Sequence, residues 1–486
     1  YDASAEYPEL EIICPFDKSV FPPEICPPLV RWRDDTGDVA RWLLSFHFDG
    51  AGEDLHFMAD APEWRPPRTA WATIKDHSTE QWTRLTILGV TGDTPPAVCS
   101  RGRIELKTSR DPVGAPLMYR EVNLPFFDAV RDTTKIVWRF GPIDCDKPPV
   151  VLEGLPVCGN CHTFSTNGNR FGMDVDFGND KGCYAIADVK EKVLLDQTRL
   201  ISWSDYRPQD NQVTGGLLPC MSPSGRYVAS TIRDQAVFLF TPDIAFSQLF
   251  FPATGVLGIY DCQTGEIHTL PGAANPELVQ SNPVWTPDGK EIVFARTKAY
   301  YPEYDIEANE FPITLPEEVC EVFLTGEKDF KFNLYRIPFN EGRGGTPQPI
   351  PGASHNGMSN YFPKFSPDGK WMVFCKAENF MLLMPDSELW IMPAEGGAPR
   401  RMECNTGRMN SWHSFSPNGK WMVFSSKAFS DYTQLMLTHI GEDGSSTRPV
   451  LLDYMSRPDR AANIPEFVNA PADAMRRIIP EFLSDT

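Results

Sequence analysis

The chain contains no run approaching ~18 consecutive apolar residues, so nothing in its 486 residues reads as a membrane-spanning helix. Basic residues are also short, with 45 Lys and Arg against 65 Asp and Glu and a formal net charge of −20. Nucleic acid and anionic membrane surfaces are therefore not expected as partners, because both require a positive face. Residues Tyr1 to Pro8 carry neither a basic segment nor an apolar targeting core. Histidine is scarce, at eight residues, so each position is informative.

What the chain has instead is 35 glycines and 45 prolines within a 41% hydrophobic composition. That balance suits a folded protein of many short elements joined by turns, with two or three domains. Twelve cysteines are compatible with an oxidising compartment. Cys14 and Cys26 are close enough to close a small loop, and Cys99 with Cys145 is a weaker pairing. Cys220, Cys262, Cys375 and Cys404 read as small buried apolar residues.

Cys158-Gly159-Asn160-Cys161-His162 is the one CxxCH in the sequence. Two thiols at this spacing can form thioethers with the vinyls of one haem, while the adjacent imidazole turns onto the iron. The alternatives are a redox thiol pair or half of a zinc site. Zinc would want further Cys or His nearby, and none follows before Cys183. Attachment of haem c would place maturation outside the cytoplasm, so a periplasmic or extracellular protein with a processed signal peptide is expected.

Residues 1–125 read as a β-sandwich-like module. The alternating segment Ala40 to Phe48 reads as a strand, as do Leu10–Ile13, Thr69–Ile74, Thr83–Val90 and Arg103–Lys107, with proline-rich turns between them. His47, His56 and His77 read as ordinary sheet residues. From residue 158 one motif recurs: Phe164-Ser165-Thr166-Asn167-Gly168, Met221-Ser222-Pro223-Ser224-Gly225, Trp285-Thr286-Pro287-Asp288-Gly289, Phe365-Ser366-Pro367-Asp368-Gly369 and Phe415-Ser416-Pro417-Asn418-Gly419. Asp or Asn caps a tight turn, and glycine takes its positive-φ position. Such repeats, roughly 50–80 residues apart, are those of a β-propeller over residues 126–470, with 471–486 as a C-terminal tail. Pro465 before Phe467 marks a sixth unit, completed by strands near Ile136–Arg139 and Val150–Leu152. The expected fold is all-β with a six-bladed propeller, seven or eight blades being the alternatives.

These motifs resemble the TolB-like, PD40 type of WD40-like propeller. With the CxxCH they resemble, distantly, the propeller-containing α subunit of hydrazine synthase, which carries a second haem motif that this chain lacks. The resemblance implies a haem-bearing propeller and says little about activity.

The repeat register adds a position for the haem. His162 falls two residues before Phe164, the place held elsewhere by Pro219, Pro283, Pro363, Pro465 and His413. The starts of innermost strands cluster at one channel mouth, so the haem is expected there. His413 is the candidate distal ligand or distal hydrogen-bond donor, against a structural role bonding a neighbouring loop. His355, Met358 and Met409 are alternative ligands. Arg408 is a candidate partner for a propionate and Trp412 for the porphyrin edge. Asp174, Asp176 and Asp180 form an acidic loop that is a calcium candidate, against a plain solvated turn. The tyrosine-rich stretch Tyr300 to Glu307 is a candidate partner-contact loop.

Three functions remain open on sequence. The first is an electron-transfer monohaem cytochrome in a larger hetero-complex, docking a cytochrome or multihaem partner that presents a basic face. The second is a haem-dependent redox enzyme subunit acting on a small nitrogen or oxygen species. The third is a binding scaffold with a structural haem.

Overall fold

One turn, built five times from the same hydrogen bonds, sets the architecture. In the computed structural model the Ser366 hydroxyl donates to Asp368 at 2.6 Å and accepts the Trp371 N–H at 3.0 Å. Ser416 repeats this with Asn418 and Trp421, Thr286 with Asp288 and Glu291, and Ser165 with Asn167 and Arg170. Ser222 accepts the Tyr227 N–H in the same way. The glycine that follows has φ between 70° and 74° in all five turns, a region that costs other residues a Cβ clash. Residues 5–49, 53–144, 147–156, 161–210, 212–305 and 312–483 are described.

Each turn feeds an antiparallel meander. Four-stranded sheets start at the edge strands His162–Phe164, Cys220–Met221, Leu278–Trp285, Ser359–Phe365 and Asn410–Phe415. In a sixth, Ala461–Phe467 pairs with Leu117–Val122, which continues to Val137–Gly141 and Val150–Glu153. The completing strands foreseen near 136–139 and 150–152 are therefore present, with Leu117–Val122 lying between them and the C-terminal strand.

The expected closed six-bladed propeller is corrected. Among the described residues the strands form ten separate sheets, and no hydrogen-bonded sheet closes on itself. Pairing stops at the fourth strand, and neighbouring sheets meet through side chains. Asn282 accepts the Phe362 N–H at 2.7 Å, Ser414 the Phe467 N–H at 3.2 Å, and Glu466 the Phe164 N–H at 3.3 Å.

The sandwich-like module is corrected as well. A five-stranded sheet and a three-stranded sheet are accompanied by a helix, Arg68–Ser78, where a strand over 69–74 was expected. Trp71, Ile74 and Ser78 are its buried residues, a helical spacing that outweighs the β-branched letters. The module is not self-contained, because its core continues into Trp421, Val423 and Leu435. Trp421 also donates from its indole to the Asp111 carbonyl at 3.0 Å. Beyond 470, Arg477–Ile479 pairs in parallel with Lys192–Leu194 and Phe482 is buried, so this segment is docked. Cys14 and Cys26 are buried, and no disulfide joins the described cysteines, while Cys145 lies outside the described residues. No helix among the described residues is long and apolar enough to cross a membrane.

Candidate active site at the shared edge of six sheets

The six edge strands bring one end of each sheet to a common cavity of about 70 Å³. All six contribute to it, through Cys161 to Thr163, Leu218 to Cys220, Asn282 to Val284, Phe362 and Lys364, Trp412 and His413, and Ile464 to Glu466. The register inferred from sequence places His162, Pro219, Pro283, His413 and Pro465 there. Pro363 itself is not in the lining, although both of its neighbours are.

Immediately before the register position the backbone turns left-handed in five strands. Leu218, Asn282, Phe362, Trp412 and Ile464 have φ of 55°, 53°, 49°, 53° and 54°. Four of these strands slip register at the same place, as between Ser281 and Val284 or between Ser411 and Ser414. The bulge turns side chains from the ladder into the cavity, a use of strained backbone common beside functional sites.

His162 is 4% exposed, and neither of its ring nitrogens makes a hydrogen bond among the described residues. Burial pushes its pKa down to about 3, helped by the positive charges of Arg120 and Lys364. The backbones of Met118 and Ile464 act in the opposite sense without reaching hydrogen-bonding geometry. Beside it, Cys161 is clasped by Asp174. Its N–H donates to the Asp174 carboxylate at 3.1 Å and its carbonyl accepts the Asp174 N–H at 3.0 Å. Burial drives the Cys161 thiol and the Asp174 carboxyl upward in pKa. Cys158 lies outside the described residues.

His413 is 2% exposed. Its Nε2 pairs with the Val373 carbonyl at 3.1 Å and its Nδ1 faces the Cys375 sulfur at 3.9 Å. Burial lowers its pKa to about 3 as well. As a distal ligand it would have to leave Val373. Trp412 stacks on Phe362, and its buried indole N–H has no hydrogen-bond partner.

The other candidates are placed elsewhere. His355 is exposed and pairs with the Tyr335 hydroxyl at 3.1 Å. Met358 and Met409 do not line the cavity, and Met409 is core. Arg408 is ion-paired to Asp431 at 2.6 Å on the surface. Asp176 pairs with Lys181, and Asp180 accepts from Ser202, Ser204 and the Gly182 N–H, so the acidic loop divides among separate partners. Tyr300 donates to the Val319 carbonyl and Tyr301 to the Pro276 carbonyl, while residues 306–307 of that stretch lie outside the described residues.

Sequence reasoning missed Lys364 and Glu466, the two charged residues of the lining. Both stand one position beyond the register proline, so aligning the repeats one residue further would have exposed them. Burial raises the Glu466 carboxyl, with Lys364 and the Phe164 N–H pulling it back.

No family model matches the chain, and no curated protein matches it. Among solved structures, TolB from Acinetobacter baumannii is 12% identical over 80% of this chain and 79% of its own, with a TM-score of 0.42. Hydrazine synthase from Kuenenia stuttgartiensis is 13% identical over 90% and 98%, with a TM-score of 0.35. An oligogalacturonate lyase in complex with manganese is 14% identical over 69% and 73%, with a TM-score of 0.35. Likeness this weak assigns neither fold nor activity. The expected identity as a haem-bearing TolB-like propeller, and with it the cytochrome assignment, is corrected: the sheets stay separate, and among the described residues no group of three or more His, Cys, Asp or Glu is placed to hold a metal ion.

Proposed function

We propose that the cavity belongs to a redox enzyme, or a subunit of one, acting on a small nitrogen or oxygen species, with haem c as the group held by Cys158, Cys161 and His162. The observation that carries this reading is His162, a buried histidine whose two ring nitrogens are unpartnered beside the Cys161 thiol. A structural histidine in such a place would satisfy at least one nitrogen. The donor chemistry fits an imidazole ligand next to a thioether. About 70 Å³ admits a few waters or a small molecule and no porphyrin, so the group would be held at Cys158, Cys161 and His162 outside the cavity interior. When bound, the haem would supply redox chemistry at its iron.

The remaining work falls to the chain. Burial keeps the His162 ring neutral at physiological pH, the form that can ligate. Glu466 presents a carboxyl whose raised pKa suits it to hold and release a proton within the cavity. Lys364 offers a cation to a developing negative charge. An electron relay with both axial positions filled is less favoured, because His413 is engaged with Val373. Haem attachment would place the protein outside the cytoplasm, and its acidic balance suits an electron donor with a basic docking face.

The test is maturation in a host that attaches haem c, then a pyridine haemochrome spectrum of the denatured protein and a mass measurement on the peptide containing Cys158 and Cys161. A retained haem whose native spectrum shifts with carbon monoxide supports the proposal. Absence of covalent haem overturns it, and a carbon-monoxide-insensitive six-coordinate spectrum replaces enzyme by relay.

A further inference from the structure

A second cavity, much larger than the first, is formed where the turn after Tyr227–Ile232 meets the start of Val256–Asp261 and the segment containing Tyr206. Its volume is about 490 Å³, within the range of small-molecule sites, roughly 300–1,000 Å³. It is separate from the His162 cavity and shares no residue with it.

Its lining runs against the character of the chain. The protein carries a net charge of −20, yet among the described residues none of the twelve that line the cleft is acidic and two are arginines, Arg207 and Arg233. Arg233 spends one nitrogen on Asp210, at 3.2 Å, and a guanidinium has five N–H donors in a fixed fork. Arg207 makes no ion pair among the described residues and lies over the Tyr206 ring, 5.3 Å from its centroid. Both arginines occupy left-handed backbone, with φ of 53° and 55°. Around them stand side chains able to meet hydroxyls. Gln235 spends its amide N–H groups on the Tyr304 hydroxyl at 2.8 Å and the Pro312 carbonyl at 3.2 Å, which leaves its Oε1 to accept from a ligand, and the Thr254 hydroxyl accepts the Gln235 backbone N–H at 2.9 Å. Tyr301 is 62% exposed at the rim, fixed by a 2.7 Å hydrogen bond to the Pro276 carbonyl.

Guanidinium forks match carboxylates bidentately, amide and hydroxyl side chains match vicinal hydroxyls, and aromatic faces cover C–H surfaces. We infer that this cleft binds a small hydroxyl-rich carboxylate, a sugar acid, with Arg207 and Arg233 on the carboxylate and Gln235 and Thr254 on the hydroxyls. Local donors carry the recognition, since the long-range field of the protein repels anions.

The experiment is calorimetric titration of the full chain with glucuronate, using glucose and inorganic phosphate as controls. Glucuronate is expected to bind and glucose not to bind. Arg207→Ala and Arg233→Ala are each expected to weaken glucuronate at least tenfold, with the melting temperature of Arg207→Ala unchanged because its side chain is exposed. Arg207→Lys, which keeps the charge and loses the fork, is expected to fall between. The inference is overturned if glucuronate does not bind, if both alanine variants bind it as the parent does, if glucose binds equally, or if phosphate binds and glucuronate does not.

Discussion

Trp412 and Phe362 stack with ring centroids 4.6 Å apart and planes 27° apart, and both stand at left-handed positions bordering the His162 cavity. The pair joins two neighbouring sheets across their bulges. Trp412→Ala should cost about 2–3 kcal/mol, below the figure for a fully buried Trp because this ring is half-buried. Trp412→Phe should cost about 1 kcal/mol, since the indole N–H has no hydrogen bond to lose. Denaturant midpoints at an unchanged slope would check both, and equal losses would remove the stack from the account.

The repeated turn separates backbone strain from crowding. A Cβ at Gly369 would find only Pro287, 4.0 Å away, so Gly369→Ala should cost about 1–2 kcal/mol, from the left-handed backbone alone. At Gly168 the same atom would lie 2.2 Å from the Asn469 carbonyl oxygen. Gly168→Ala should therefore lower the melting temperature clearly further. Equal shifts would show that the C-terminal segment gives way freely.

Glu121 is 1% exposed and meets Arg139 at 3.0 Å and Lys147 at 2.9 Å. Arg139 is itself 7% exposed. Removing the carboxylate by Glu121→Ala should cost about 3–5 kcal/mol, because a buried guanidinium is left uncompensated. Pairing Glu121→Leu with Arg139→Met should recover most of that loss. A double variant no better than the single one would point to Lys147 as the main partner.

His413 gives the structure an acid sensitivity of known sign. Its folded pKa, about 3, lies below the ordinary 6.5, so the unfolded chain binds the extra proton first as pH falls. The contribution of this histidine is whole above pH 6.5 and declines progressively from there toward pH 3. His413→Gln keeps an N–H for the Val373 carbonyl and cannot charge. Its melting temperature should fall less steeply between pH 7 and 4, and parallel curves for the two proteins would rule the histidine out as a source.

Much of this site was legible because the turn chemistry is local. Ser-Pro-Asp-Gly-Lys fixes its own hydrogen bonds, so the register of Pro219, Pro283, His413 and Pro465 could be counted from the letters. Helix Arg68–Ser78 was misread because its β-branched residues speak for a strand, whereas burial of Trp71 and Ile74 decides for a helix. Lys364 and Glu466 went unseen because side-chain direction depends on bulges that composition does not announce. His413 could be placed at the cavity, but its bond to Val373 is a contact between different sheets and leaves no trace in the sequence.

The pairing of Ala461–Phe467 with Leu117–Val122 joins strands made more than three hundred residues apart. During synthesis, Leu117–Val122 waits for more than three hundred further residues before this cavity-side partner exists. Pairing at this separation is slow to form and late to finish. Ile464, Pro465 and Glu466 arrive with that strand, so the side of the His162 cavity they line is complete only once it has been made and paired. A chain truncated before residue 461 would lack the wall of the cavity that Ile464, Pro465 and Glu466 supply.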